Sequence, residues 1–338
     1  MSELSYNASL IILLDNISTQ FNRYASVLIL LFGVVGNILN ILVLSQRALR
    51  SNSCAWIFLA SSIANLISIL FGLTTRIISG WTTDPIDHIG WACKLRAFVV
   101  FSTRTIASWL IVLATVDRWL SSSTNVHRRQ KSTLKNVQRW TTIIVILSIL
   151  LYAQQLYCYE ANLIDTPLRC YGKTNACRFI TDSSFAVITI LFPLVLMILF
   201  GLLTISNVRQ SQNRVRALQL PNINSIMNKS SEPIAGNTER KSKQKIDRSV
   251  LRMLLVQVLF LVIFTFPLSL QKIYSSFIQE DESSRDIAIN VFSYNAAVLI
   301  YFISNGMPFY LYTLCGGAVF RKALYDFVVT MKRKMMCQ

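Results

Sequence analysis

Six long stretches of the chain contain no charged residue, and this pattern constrains the fold more than any other feature. They cover residues 24–46, 51–75, 140–159, 183–208, 253–271 and 287–320. A helix that crosses the hydrocarbon core of a bilayer needs roughly 20 mostly apolar residues. The composition, with 53% hydrophobic and 14% charged residues, is also too apolar for a soluble protein. The sequence therefore predicts an integral membrane protein.

A seventh stretch, residues 92–120, is apolar overall but carries several charged side chains. We count it as a span because leaving it out would place the basic segments 121–139 and 209–252 on opposite sides of the membrane. The predicted fold class is therefore all-α, an integral membrane bundle of seven transmembrane helices. The charged residues in the seventh stretch are Lys94, Arg96, Arg104, Asp117 and Arg118.

The distribution of basic residues predicts the orientation of the bundle. If the N-terminus lies outside, most of the 33 lysines and arginines fall in the inner loops and C-terminal segment, as the positive-inside rule requires. The net charge of +17 is then an orientation signal, and a nucleic-acid partner is not expected. Two glycosylation acceptor motifs, at Asn7 and Asn16, agree with an outer N-terminus. We expect a multi-pass protein of the plasma membrane.

The segments outside the spans divide the chain further. Residues 1–23 are predicted to form an extracellular tail, and 24–314 the seven-helix domain. Residues 208–247 are rich in polar residues and are predicted to be a flexible third inner loop. Residues 315–338 are predicted to be cytoplasmic, beginning with a short amphipathic eighth helix on the inner membrane surface.

The chain offers little for catalysis or metal binding. It has only two histidines, His88 and His127, and the spans contain no Ser-His, Cys-His or paired-carboxylate arrangement. We therefore expect neither a cofactor nor a metal ion, and we expect that the chain is not an enzyme.

Several motifs occur in a fixed order along the seven spans. Span one contains Gly36-Asn37, and span three begins at Cys93 and ends in the sequence Asp117-Arg118-Trp119. In this order the chain resembles the rhodopsin-like, or class A, G protein-coupled receptors, whose third helix carries an Asp-Arg-Tyr motif. Prolines stand where that family kinks its fifth, sixth and seventh helices: Pro193, Pro267 and Pro308.

The resemblance implies roles for individual residues. Asp117 would hold Arg118 at the inner mouth of a closed bundle, and activation would free Arg118 to meet the α subunit of a heterotrimeric G protein, with Trp119 completing the coupling motif. The resemblance also implies a disulfide bond from Cys93 to the second outer loop. We favour Cys170 as its partner and keep Cys177 as the alternative.

Several switch positions of the family are altered here. The switch positions Asn37 and the three prolines match the family, whereas Asn65 stands where most members have an aspartate and Thr265 where a tryptophan is usual. Leu311 falls where the switch tyrosine would be, and Gly201 where span five usually offers a tyrosine. The usual pair of tyrosines cannot form, so the chain either switches in its own way or binds without strong signalling.

Basic residues in the outer half of the bundle suggest the class of ligand. Arg104 lies on the stripe of span three that faces the interior, because a helix turns about 100° per residue. Arg76 and Lys272 share helix faces with residues expected to point inward. An intramembrane arginine is a functional hypothesis by default. The three bases would together bind an anionic group such as a carboxylate, whereas Val100, where amine receptors carry an aspartate, disfavours a monoamine.

The outer loops are acidic and would attract a cationic part of the same ligand. We therefore expect an extracellular peptide-like ligand resembling a neuropeptide, although a lipid or odour ligand stays open. The other expected partners are a G protein, arrestin, receptor kinases and membrane lipids. The alternatives from other classes are a non-signalling membrane binder and a small-solute transporter. The outer acids are Asp84, Asp87, Asp165, Asp182, Glu280, Asp281, Glu282 and Asp286.

Overall fold

The protein is a bundle of seven membrane-spanning helices. A computed structural model describes residues 2–46, 49, 52–81, 88–163, 169–219, 236–277, 283–315 and 317–336. Within these residues seven helices are long and apolar enough to cross a membrane, which confirms the predicted fold class. Span three is the most buried and forms the centre of the bundle. The spans are Asn7–Leu44, Ser53–Trp81, Gly90–Ser122, Leu134–Cys158, Asn175–Ser211, Leu251–Tyr274 and Ser284–Gly306.

The helices are longer than the spans at several ends. The α-helix, with 3.6 residues per turn, is interrupted by a wider π-helical turn at two places, within spans one and five. The helices run from Ser2–Gln20 through the π-turn Phe21–Ala25 to Ser26–Leu44, then Ser53–Trp81, Gly90–Ser122, Val126–Gln130, Leu134–Tyr152, Gln155–Cys158, Asn175–Ser184 with the π-turn Phe185–Leu191 and Phe192–Gln219, Gly236–Phe277, Ser284–Gly306, Pro308–Cys315 and Gly317–Met336.

The segment predicted as an extracellular tail, residues 1–23, is helical where the structure describes it. The chain is helical from Ser2 and continues into span one. At about 1.5 Å per residue, this helix is much longer than the roughly 30 Å hydrocarbon core, so its first part projects beyond the membrane. Tertiary contacts hold it there. Asn295 Nδ2 donates to Ser18 Oγ at 2.8 Å, and Arg23 Nε donates to the Gly80 carbonyl at 2.8 Å.

The predicted flexible loop at 208–247 is helical at both ends. Span five continues to Gln219 and the span-six helix begins at Gly236, in segments rich in the helix formers Gln, Arg, Lys and Ala. Residues 220–235 lie outside the described part of the chain. The C-terminal helix, Gly317–Met336, buries Phe320 and Ala323 and exposes Arg321, which fits the amphipathic helix that was predicted, though it is longer.

Prolines and polar residues shape spans five, six and seven. Pro193 is the second residue after the π-turn in span five, where the wider turn accommodates a residue that lacks an N–H. Pro267 lies inside the span-six helix, and Thr265 Oγ1 donates back to the Leu261 carbonyl at 2.7 Å, which favours bending there. Span seven ends at Gly306, and Pro308 begins the next helix.

Small residues let the helices approach closely. A Cβ atom on Gly72 of span two would clash with the ring of Phe302 in span seven, and one on Gly306 would lie 3.1 Å from Cα of Gly33 in span one. Close approach through small residues is a main source of helix association in membranes. Gly72 in particular makes room for Phe302, whose ring contacts a buried arginine described below.

Replacing Gly72 with Ala is expected to destabilise the bundle by about 1–3 kcal/mol, because the buried Phe302 ring would have to move. Gly201→Ala is the matched control. The added methyl group there meets only Leu255, at an ordinary 3.8 Å, and alanine favours the helix. The thermal unfolding temperature of purified protein should therefore fall for Gly72→Ala and hold or rise for Gly201→Ala. Equal effects would contradict this packing.

Candidate ligand cavity and inner-face ion pair

A disulfide-bonded hairpin covers the end of the bundle that the sequence predicts to be the outer one. Strand β1 (Tyr159–Glu160) pairs antiparallel with strand β2 (Tyr171–Gly172), and each strand directly follows a cysteine. Cys170 is bonded to Cys93 at the start of span three, which confirms the favoured pairing. Cys177, the alternative partner, is instead bonded to Cys158, so that alternative is wrong. The second bond was missed, although both cysteines fall at outer ends of spans.

The two disulfide bonds fix the hairpin over spans three, four and five. Its Tyr159 is buried and lines a cavity below it. Tyr171 on β2 donates its hydroxyl proton to Asp182 Oδ2 at 2.8 Å. Burial raises the pKa of both tyrosines well above 10. Both rings therefore stay neutral across the physiological range, and the Tyr171 hydroxyl remains a donor.

A buried ion pair joins spans five and six beneath the hairpin. Lys272 Nζ lies 2.6 Å from Asp182 Oδ1, and both side chains are only 4% exposed. The ring of Tyr294 lies 4.8 Å from the same ammonium group. Asp182 was expected in an acidic outer rim and is instead inside the bundle. Of the other expected rim acids, Asp286 is exposed, and the remaining six fall outside the described residues.

Arg104 of span three is 6% exposed and lies among aromatic rings. Its guanidinium carbon is 4.2 Å from the ring centre of Phe302 and 4.6 Å from that of Tyr301. No carboxylate among the described residues pairs with it, and its Nε has no hydrogen-bond partner there. Cation–π contacts offset part of the cost of burying this charge, but an unpaired buried charge is normally expensive.

Arg76 of span two is held by amides from two neighbouring segments. Its Nη1 donates to Asn295 Oδ1 of span seven at 2.9 Å and to Asn22 Oδ1 of the first helix at 3.3 Å. The Tyr294 ring lies 5.8 Å from its guanidinium carbon. These neutral acceptors fix the side chain in place without neutralising its charge.

Arg76 and Arg104 line one cavity of about 220 Å³ in the outer half of the bundle. A third arginine, Arg96, lines it too, whereas Lys272 does not. Sequence reasoning missed Arg96 as a site residue, although its spacing of four from Val100 and eight from Arg104 marks one helix face. None of the described residues that line the cavity is acidic. The cavity therefore concentrates positive charge.

An ion pair lies at the opposite end of the bundle, which the sequence predicts to be the inner one. Asp117 Oδ2 accepts from Arg118 Nη2 at 2.9 Å and from Ser53 Oγ of span two at 2.7 Å. Its Oδ1 accepts from Ser132 Oγ, in the segment between spans three and four, at 2.6 Å. Asp117 and Arg118 are 2% and 7% exposed at their side chains. One carboxylate thus ties together three segments of the inner face.

Trp119 points away from this ion pair. Its ring packs against Phe200 of span five at 5.3 Å between centroids, and the guanidinium carbon of Arg128 lies 5.3 Å from the ring centre. The structure therefore brings Asp117 and Arg118 together and places the third residue of the motif in a separate contact.

Polar side chains at or beside the switch positions make contacts within the bundle. Tyr312, one residue after Leu311, is buried and donates its hydroxyl proton to Gln257 Oε1 of span six. Asn37 Nδ2 donates to the Gly33 carbonyl at 2.8 Å and to the Asn305 carbonyl at 3.1 Å. Tyr312 therefore joins span six to the helix Pro308–Cys315, a contact that the side chain of Leu311 cannot make. Asn65, without a charge, is buried in span two.

Comparison with known proteins identifies the architecture. The family model described as 7 transmembrane receptor (rhodopsin family) matches residues 36–321, from Gly36 beside the span-one asparagine to the C-terminal helix. The chain belongs to the rhodopsin family of seven-transmembrane receptors. This receptor is therefore a multi-pass membrane protein and not an enzyme.

The receptor is also similar to the human protein named galanin receptor type 2. The two are 25% identical over 229 residues, which cover 66% of this chain and 53% of that receptor. The chain thus spans about half the length of the curated relative it matches.

Proposed function

We propose that this chain is a plasma-membrane G protein-coupled receptor for an extracellular peptide-like ligand, with its N-terminus outside. The observation that carries the proposal is the Asp117–Arg118 ion pair at one end of the bundle, opposite a positively charged cavity at the other. A ligand can act across a membrane only if it binds two states of the protein differently. A ligand would bind in the cavity, and the Asp117–Arg118 ion pair would be intact in one state and broken in the other.

The contacts of Asp117 support a closed state. The carboxylate accepts from Arg118, Ser53 and Ser132, which belong to span three, span two and the following inner segment. Opening would separate Arg118 from this acid and expose it to a partner. A G protein α subunit is the partner we propose for the freed arginine, and arrestin and receptor kinases are proposed as regulators of the same face.

Two features support an outer N-terminus. Both disulfide bonds lie at the end of the bundle opposite the Asp117–Arg118 pair, and such bonds persist in an oxidising environment. Basic residues concentrate at the other end. We propose Asn7 and Asn16 as glycosylation sites, of which Asn16 is exposed on the first helix.

The likeness to a receptor named for galanin supports a peptide-type ligand over a lipid or odour ligand. Membrane lipid is a further proposed partner, at the outside of the bundle. An apolar groove of about 1070 Å³ opens between spans three and four, and Trp109, Trp140 and Leu147 line it. Acyl chains would cover this surface in a bilayer.

Weakening the inner ion pair should raise ligand-free activity. Asp117→Asn removes the charge that holds Arg118, and a charge-assisted hydrogen bond contributes about 1.5–3 kcal/mol. We expect ligand-free nucleotide exchange on G protein α subunits to rise roughly tenfold, since the open fraction shifts by that free energy. Ser132→Ala, which removes one donor to the same carboxylate, should give a smaller rise.

Ser121→Ala is the matched control for this experiment. Its hydroxyl bonds only to a carbonyl of its own helix turn among the described contacts, and not to Asp117. Exchange in this variant should equal that of the wild type. A fully expressed Asp117→Asn variant with exchange no higher than Ser121→Ala would contradict the proposed role of the ion pair.

A further inference from the structure

We infer that the outer cavity is a binding site for a single carboxylate, carried on a group about as large as one amino-acid residue. The inference rests on the proposal that the chain is a ligand-binding receptor and names the chemistry of the end that it buries. It is carried by three arginines around one small cavity, together with a buried guanidinium nitrogen that lacks a partner.

The charge balance of the cavity favours an anion. Arg76, Arg96 and Arg104 repel one another across about 220 Å³, and no acid stands among the described residues that line this space. Desolvated like charges are costly unless a counter-charge is present. A bound anion would offset this repulsion and gain Arg76 and Arg104 as attractive partners, with the charge of Arg96 beside them.

The hydrogen-bonding geometry favours an oxyanion that a guanidinium can grip with two nitrogens. Arg104 is fixed between Phe302 and Tyr301, while Asn22 and Asn295 fix Arg76. These arginines therefore lose little side-chain freedom on binding. A preorganised fork of this kind matches a planar carboxylate.

The size of the cavity limits the group to one end of a ligand. Drug-sized ligands occupy pockets of roughly 300–1,000 Å³, and this cavity is smaller at about 220 Å³. Its wall also carries the apolar side chains Val100, Phe101 and Val298 beside the arginines. A carboxylate would bind the arginines, and a small apolar group beside it would pack against the apolar side chains. The free carboxy-terminal residue of a peptide carries both groups.

Lys272 does not belong to this site. Its ammonium group is already paired with Asp182 at 2.6 Å, and it does not line the cavity. The three-base site that the sequence predicts is therefore replaced by one in which Arg96 stands in the place of Lys272. Substituting Arg96 should therefore change binding in the cavity.

The experiment measures binding of N-acetyl-leucine and N-acetyl-phenylalanine, and of their amides, to purified receptor in lipid nanodiscs. Binding is read from the concentration at which each probe raises the thermal unfolding temperature. We expect the acids to bind roughly 10- to 100-fold more tightly than the amides, which lack the charge. Equal affinity of acids and amides would overturn the inference.

Substitutions locate the binding. Arg104→Gln should weaken binding of the acids roughly tenfold or more, and Arg96→Gln, at a half-buried position, should weaken it by a smaller factor. Arg285→Gln removes one exposed arginine of the outer end that does not line the cavity, so it should have no effect. If Arg104→Gln fails to fold, the affinity of Arg96→Gln for the acids is compared with that of Arg285→Gln, and this comparison still tests the inference. Unchanged affinity in Arg96→Gln would then overturn the inference.

Two further arms separate the sources of the carboxylate. Hexanoate that binds as tightly as N-acetyl-leucine would assign the site to a free carboxylic acid, and weaker binding would assign it to a peptide end. Binding is measured without a G protein. A receptor that binds the acids but never stimulates exchange would therefore refute only the proposed coupling, while one that stimulates exchange but binds acids and amides alike would refute only the carboxylate site.

Discussion

Asp182→Ala is expected to destabilise the receptor by about 3–5 kcal/mol, because it leaves the Lys272 ammonium buried without its counter-charge. Both side chains are 4% exposed, so solvent cannot replace the lost partner. The Tyr171 hydroxyl would lose its acceptor in the same step, which loosens the hairpin over the outer cavity. The thermal unfolding temperature of purified receptor should fall by many degrees.

The double variant Asp182→Ala/Lys272→Met tests the electrostatic origin of this loss. Removing both charges should recover most of the stability, since a buried pair and an apolar pair of similar volume are often nearly equal. Glu160→Gln, an exposed acid on the same outer face, is the matched control and should change little. A double variant as unstable as Asp182→Ala, or a single variant as stable as Glu160→Gln, would contradict this interpretation.

The seven spans could be predicted because each depends on local composition. Charge-free length and the distribution of basic residues need no knowledge of tertiary contacts. The extension of the first helix to Ser2 could not be predicted in this way. It depends on contacts with distant segments, such as Asn295 with Ser18 and Arg23 with the Gly80 carbonyl.

The candidate site shows the same division. Helical periodicity alone placed Arg104 in the interior, where the structure has it. The pairing of Lys272 with Asp182 was missed because 90 residues separate the two in sequence and Asp182 lies near a loop. The disulfide bond between Cys158 and Cys177 was missed because sequence alone does not fix connectivity among several cysteines.

Tyr312 shows how a small shift in register changes a contact. By family spacing the switch tyrosine should stand at residue 311, which is leucine here. The structure instead turns the next residue, Tyr312, inward to Gln257, and its ring stacks on Phe58 at 4.8 Å between centroids. One helix ends at Gly306 and the next begins at Pro308, and a sequence pattern does not report the rotation of a helix after such a break.

The second large effect is expected at Arg118. If this side chain contacts the G protein once released, Arg118→Ala should abolish coupling even where Asp117 no longer holds the bundle closed. Arg139 is exposed near the start of span four and carries the same charge. Arg139→Ala should therefore leave coupling nearly unchanged, which separates a specific contact from the general positive charge of the inner surface.

The most direct measurement is ligand-free nucleotide exchange on G protein α subunits in membranes that carry Asp117→Asn, alone or combined with Arg118→Ala or Arg139→Ala. This design needs no identified ligand. The proposed function predicts high exchange for Asp117→Asn and for its combination with Arg139→Ala, and background exchange for the combination with Arg118→Ala at equal surface expression. High exchange that persists without Arg118 would contradict coupling through this arginine.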